Sequence, residues 1–351
     1  MPTAIVSPLP ADARILVTGG NGFVGEWVVR KLLERGFTNL VCIARSAGGA
    51  IANLQAEFPN ATVDVVVGNL LSASSCAEAV RGARVVYHLA AGRGRTFPAC
   101  ILNSVVTTRN LLDAVVAEGS VERFVNVSSM SVYSNADLSH GGRLREDTPI
   151  DLEIAERHDP YAYAKAKQDE LVEEYAHTRG LRQVTVRPGF VIGPGKPNIP
   201  GRVGNAAFGP FLNVGPSNQM PFTYVENCAD AIVAAGLVSG IEDELFIIVD
   251  DDLPTSSQYL RKYKKKIGWF PTVPTPYRAY LGLTGMLEWY SRWSKGQLPP
   301  TFNRRSTRTY YKGNTYSNAH AKQLLGWHPA VSMDDALDRC FRFIRSTKGT
   351  A

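Results

Sequence analysis

The chain has 351 residues, 44% of them hydrophobic and 20% charged, and a formal net charge of +6. That exceeds the ~100–200 residues usual for one domain, so one large domain or a domain with a smaller companion is expected, with a sizeable core. No apolar run approaches the ~20 residues of a membrane span, residues 1–13 lack the basic start and apolar centre of a signal peptide, and the basic runs at 261–266 and 303–308 lack the interleaved stacking residues of a nucleic-acid surface. Residues 1–13 read as a loose tail. Cys42, Cys76, Cys100, Cys228 and Cys340 are odd in number, scattered and without C-x-x-C spacing, which predicts reduced thiols in a cytoplasm and no metal site.

From residue 14 a regular alternation begins. Apolar, β-branched runs at 14–19, 40–45, 62–69, 84–91, 123–129 and 182–189 are separated by helix-like stretches, and a seventh run follows at 244–251. Near-continuous hydrophobic strands alternating with helices predict a parallel sheet covered on both faces, a doubly wound α/β fold. After residue 189 the texture turns Pro- and Gly-rich, and after 252 it becomes irregular, helical and aromatic. This predicts a main domain over 14–190 to which 217–252 return, and a smaller substrate-covering lobe from 191–216 and 253–345.

The first strand runs into GGNGFVG, residues 19–25, and then an amphipathic helix pattern. Gly19, Gly22 and Gly25 at a strand-to-helix turn allow the tight bend and the close approach of backbone to a pyrophosphate, while the helix N-terminus offers free amides and a positive dipole. A dinucleotide site is expected there. The second strand ends in Arg45, and the stretch from Thr38 to Ala56 contains no acidic residue that would hold a ribose diol. NADP(H) is therefore expected over NAD(H).

Residues 159–175, DPYAYAKAKQDELVEEY, hold two overlapping Y-x-x-x-K pairs. At 100° per residue, Tyr161 and Lys165 share a stripe with Gln168, Val172 and Tyr175, whereas Tyr163 and Lys167 share theirs with Glu170 and Glu174, a solvent face. Pro160 suits the first helical turn and puts Tyr161 at the helix entrance. Tyr161 and Lys165 are the expected pair, since a neighbouring ammonium favours the phenolate and lets the phenol exchange a proton with an alcohol or ketone. Upstream, the fifth strand ends in VSSMSVY, where a serine hydroxyl at the carboxyl edge of the sheet can bond the reacting oxygen.

With these motifs the chain resembles the extended short-chain dehydrogenase/reductase superfamily, the NAD-dependent epimerase/dehydratase group, over roughly 13–345. HLAA (88–91), RPGFVIGPG (187–195), FTYVENCADAI (222–232) and KQLLGWHP (322–329) look like further family segments. The resemblance implies a Rossmann fold and makes Ser129 the catalytic serine, with Ser128 the lesser choice. Tyr161 becomes the acid/base, and Lys165 its electrostatic partner and nicotinamide-ribose ligand. It lines the cofactor with Gly19, Gly22, Phe23, Val24, Gly25, Arg45, Asn69, Leu70, Leu89, Ala90, Ala91, Asn103 and Pro188. Gly68-Asn69 departs from the usual Gly-Asp at the adenine. Arg187-Pro188-Gly189 is more like the 3β-hydroxysteroid dehydrogenase branch than the Arg-x-x-Asn of sugar-nucleotide enzymes. The expected activity is therefore interconversion of a secondary alcohol and a ketone on a bulky, sterol-like or lipidic small molecule, the alternatives being a sugar-nucleotide epimerase or dehydratase and, more remotely, a dinucleotide sensor. Residues 277–300 suit a greasy pocket or a peripheral membrane contact, and Arg304, Arg305 and Arg308 suit a diphosphate clamp. A homodimer is a further expectation.

Overall fold

The computed structural model describes residues 9–46, 48–92, 94, 96–135, 138–196, 198–206, 209–295, 297 and 302–348. All seven predicted runs are strands: β1 (Ile15–Thr18), β2 (Asn39–Ala44), β3 (Thr62–Val67), β4 (Val85–His88), β5 (Arg123–Val127), β6 (Gln183–Pro188) and β7 (Leu245–Ile248). They form one parallel sheet in the order β3-β2-β1-β4-β5-β6-β7. The order reverses between β1 and β4, which opens a crevice at the carboxyl ends of those strands, the place where open α/β sheets bind ligands.

Period-2 alternation sends side chains of each strand to opposite layers. Ile15 and Val17 of β1 enter one core with α1 (Gly25–Glu34), α2 (Ala50–Glu57) and α6 (Val225–Leu237). Leu16 enters the other, with α3 (Ala73–Val80), α4 (Phe97–Glu118) and α5 (Pro160–Arg179). A separate core joins Ile192, Val203 and Phe222 to α7 (Ser256–Ile267) and to α11 (Met333–Lys348). Between them lie α8 (Tyr277–Trp293), α9 (Arg304–Tyr311) and α10 (Ala319–Leu325).

Two expectations need correction. Residues 319–327 lie within the stretch read as the lobe, yet Ala321, Leu325 and Trp327 are buried in the core beneath the main sheet, and the Trp327 indole donates to the Asn227 carbonyl at 3.0 Å. Of residues 1–13, expected to form a loose tail, 1–8 lie outside the described residues. Residues 9–13 are tied down: Ala13 is buried, and Thr38 N–H donates to the Ala11 carbonyl at 2.8 Å. All five cysteines are buried free thiols.

Candidate active site

The glycine turn is built by close backbone crossings. A Cβ on Gly25 would lie 2.1 Å from the Gly19 carbonyl oxygen, and one on Gly19, whose φ is +74°, would lie 2.9 Å from Ala90 N. Gly22 N–H closes the turn onto the Gly19 oxygen at 2.9 Å. Only glycine fits such positions, and the result is a side-chain-free cradle at the head of α1 beside the crevice, which suits a dinucleotide pyrophosphate.

The residues expected along the cofactor lie as follows. Leu89 and Ala90 continue β4, their amides donating to the Thr18 carbonyl and hydroxyl at 3.2 Å each, and half-buried Ala91 follows. Val24 precedes α1, and Phe23 lies 4.2 Å under the Lys196 ammonium. Arg45 is exposed past β2, and among the described residues no carboxylate pairs with it. Asn69 spends its side-chain oxygen on Leu71 N–H at 3.0 Å, and Leu70 is buried. Pro188 is buried at the end of β6. Asn103 sits on a π-helical turn, Leu102–Val106, of α4 and donates to the Ala99 carbonyl at 2.8 Å, while its Cβ is pressed against Gly92 after β4.

The two serines after β5 have different surroundings. Ser128 is 4% exposed and its hydroxyl donates to Asp169 at 2.7 Å. Ser129 is half-buried and caps the short turn Met130–Val132, its oxygen accepting from Ser131 N–H at 3.2 Å. The Ser129 proton finds no acceptor among the described residues, so this hydroxyl can point to a ligand. On α5, Asp159 caps the first turn, its Oδ1 accepting from Tyr161 and Ala162 N–H at 3.1 Å each. Lys165 is 2% exposed and donates to the Val127 carbonyl at 2.7 Å and to Gln168 at 3.1 Å. Thus Lys165 reaches the end of β5, two residues before Ser129, and Tyr161 lies one turn earlier on the same helix. Lys167 instead pairs with Glu170 at 2.6 Å on the surface, and the Tyr163 ring packs edge-on against Phe97.

Behind Lys165 lies a buried polar chain absent from the sequence reading. Gln168 donates to the Asn126 oxygen at 2.7 Å, Asn126 donates to Asp169 at 2.8 Å, and Asp169 pairs with Arg187 at 3.0 Å. The signal was available: Asp169 lies one turn after Lys165 on the inward stripe, and Arg187 interrupts an otherwise apolar strand. A second missed group is His88, fully buried between the Thr18 and Thr108 hydroxyls at 2.8 Å each. The expected diphosphate clamp is partly dismantled, because Arg305 is committed to Asp151 and Glu153.

Burial, aided by the Lys165 charge, pushes the His88 pKa down from 6.5 to about 3. The unfolded chain then takes up this proton first, so the stability associated with neutral His88 is full above about 6.5 and drains as the pH falls toward 3. The slope from this group is at most about 1.4 kcal/mol per pH unit. His88→Gln is expected to flatten the acid side of the stability curve, read by urea denaturation from neutral to acidic pH. Parallel curves for the two proteins would refute this assignment.

The fold and motifs have known counterparts. The chain is 27% identical to the bovine (Bos taurus) sterol-4-alpha-carboxylate 3-dehydrogenase, decarboxylating, over 97% of this chain and 95% of that one. Among solved structures it superposes on the dTDP-glucose 4,6-dehydratase of Streptomyces venezuelae with NAD bound, at a TM-score of 0.71 and 23% identity, covering 96% of this chain and 98% of that one. It likewise superposes on the UDP-glucuronic acid 4-epimerase of Bacillus cereus, in complex with UDP-glucuronic acid and NAD, at 0.70 and 22%, covering 95% and 99%. The model of the NAD dependent epimerase/dehydratase family matches residues 15–241, the span that carries the glycine cradle, Ser129, Tyr161 and Lys165. The chain belongs to that family and is an enzyme of the nicotinamide-dependent oxidoreductase or epimerase type.

Proposed function

We propose that the enzyme interconverts a secondary alcohol and a ketone on a bulky, sterol-like substrate, and that NADP(H) is its preferred nucleotide. The observation that carries the substrate class is the end-to-end similarity to the sterol-4-alpha-carboxylate 3-dehydrogenase, which leaves little of either chain unmatched. Arg187-Pro188-Gly189 at the end of β6 supports the same branch.

The residues divide the work as follows. The cradle of Gly19, Gly22 and Gly25 with the head of α1 holds the pyrophosphate, and a bound nicotinamide supplies or accepts the hydride. Lys165, clamped by Val127 and Gln168, sets a positive charge one helical turn from Tyr161 and favours its phenolate. Tyr161 takes the hydroxyl proton of an alcohol during oxidation and returns it during reduction. Ser129 donates a hydrogen bond to the same substrate oxygen and holds it toward Tyr161.

The nucleotide preference rests on Arg45 and the absence of an acid after β2, against the NAD named in the two solved relatives. Arg45→Ala is expected to weaken NADPH about 10- to 150-fold, the worth of one charge-assisted contact, and to leave NADH nearly untouched. Titration with each reduced nucleotide, followed by nicotinamide fluorescence, decides it: equal losses, or a wild type that prefers NADH, would overturn the NADP(H) reading. For the substrate, purified enzyme is offered 3β-hydroxysteroids with NADP+ or NAD+, and UDP-glucose in parallel. Steroid-dependent formation of reduced nucleotide is expected. Conversion of UDP-glucose on a nucleotide that co-purifies with the protein, without steroid oxidation, would replace this reading by sugar-nucleotide epimerisation.

A further inference from the structure

Lys165 and Asp169 lie one turn apart on α5, both buried, and two side-chain amides join them by a detour through β5. The Lys165 ammonium donates to Gln168 Oε1 at 3.1 Å, Gln168 Nε2 donates to Asn126 Oδ1 at 2.7 Å, and Asn126 Nδ2 donates to Asp169 Oδ1 at 2.8 Å. Gln168 and Asn126 are both 0% exposed, so bulk water cannot stand in for any of these partners.

The ends of the chain fix its direction. An ammonium only donates and a carboxylate only accepts, whereas an amide offers its oxygen or its N–H groups according to which way it is turned. The Asp169 carboxylate, with Arg187 and the Ser128 hydroxyl on Oδ2, draws the Asn126 N–H group to Oδ1. The Asn126 oxygen is thereby turned to Gln168, and the Gln168 oxygen to Lys165. Turning either amide over would set like groups face to face and leave buried polar atoms unsatisfied, which is costly. The other Lys165 acceptor, the Val127 carbonyl, belongs to the backbone of β5 and needs no such support.

We propose that Asn126 and Asp169 are positioning residues for the reaction: through Gln168 they keep an acceptor turned to the Lys165 ammonium and so hold its charge one helical turn from Tyr161. This rests on the roles given above to Tyr161 and Lys165. Its consequence is a pH dependence. In alcohol oxidation the rate rises as the Tyr161 phenol ionises, and an ammonium that strays or sheds its proton sooner favours the phenolate less, which moves the rise to higher pH. The other titratable groups around the pair are His88 at the end of β4, Asp159 with the Tyr310 hydroxyl on it, the Arg157–Asp151 pair before α5, Arg187 with Tyr133, and Asp113 of α4 with Tyr175. The variants below leave all of them in place.

The test follows oxidation of a 3β-hydroxysteroid with saturating nucleotide against pH, using the full chain. Asn126→Leu touches neither Lys165 nor Tyr161, yet it is expected to raise the pH of half-maximal kcat by about one unit, which lowers kcat at neutral pH about tenfold and leaves KM within about twofold. Gln168→Met, which removes the acceptor itself, should shift the profile at least as far. Thermal melting checks that each variant is folded. If Asn126→Leu does not fold, Gln168→Glu takes its place, and its carboxylate, opposing the Lys165 charge, should shift the profile the same way. Profiles that superimpose on wild type overturn the proposal, because side chains that merely fill the core would change stability and not the pH of the limb. If wild type does not oxidise the steroid, the alcohol-oxidising reading fails by itself. Ionisation of Tyr161 is then read without turnover, as the ultraviolet phenolate absorbance that each protein shows over its own Tyr161→Phe counterpart: an upward shift in the variants supports the positioning role, and an unshifted titration overturns it.

Discussion

Replacing Tyr161 by phenylalanine is expected to slow hydride transfer roughly 10²- to 10⁴-fold, the usual worth of a positioned acid/base group. Only the oxygen that exchanges the proton is removed. The ring stays in the first turn of α5, and the cap from Asp159 to the Tyr161 amide is a backbone contact that phenylalanine keeps. Nucleotide affinity should therefore change little, which separates lost chemistry from lost binding. Tyr163→Phe is the matched control, because the Tyr163 ring packs on Phe97 and its neighbour Lys167 is engaged with Glu170. Single-turnover rates of both variants, with nucleotide binding measured alongside, decide the matter. A fast Tyr161→Phe enzyme beside a slow Tyr163→Phe enzyme would mean that the wrong face of the helix has been assigned.

The second large effect is on stability. Asp169→Ala is expected to cost about 3–5 kcal/mol, because Arg187 would remain buried without its counter-charge. Arg187 is 5% exposed and stacks 4.6 Å over the Tyr133 ring, so it cannot swing to water without breaking the end of β6. Ser128 and Asn126 would also lose the carboxylate oxygens they donate to. A double variant, Asp169→Leu with Arg187→Met, should lose clearly less than the sum of the singles, since removing both charges leaves neither uncompensated. Chemical denaturation of wild type, Asp169→Leu, Arg187→Met and the double variant, with Asp169→Ala alongside, measures this coupling. A loss under about 1 kcal/mol for Asp169→Ala would show that water or a shifted side chain replaces the carboxylate.

Local pattern carried much of the site's layout. The seven strands announced themselves because a strand buried on both faces must be apolar nearly throughout, and each run at 14–19 through 244–251 was bounded by helix-like or turn residues. The cradle was legible because two backbones in contact tolerate no Cβ, and Gly19 and Gly25 stand where those contacts occur. The choice between two Tyr–Lys pairs followed from helical spacing, and the structure buries Lys165 while leaving Lys167 at the surface. Ser128 and Ser129 were harder to separate, since adjacent residues on an extended strand face opposite ways and only the position of Asp169 shows which hydroxyl is occupied.

Periodicity and turn chemistry, which act over a few residues, thus determined the sheet, the glycine turn and the inward stripe of α5. Contacts between residues far apart in the chain had no such local signature. The binding of residues 9–13 to β2, the insertion of Trp327 beneath the main sheet and the bridge from Tyr310 to Asp159 each join segments whose meeting depends on the folded chain path. The same holds for charge. Arg202, Arg305 and Arg187 are alike in a string of letters, yet one sits on the Tyr310 ring with no acid beside it among the described residues, one is spent on Asp151 and Glu153, and one is sealed against Asp169. The energy of a charge depends on burial and on the partner within a few ångströms, and both are properties of the packed molecule.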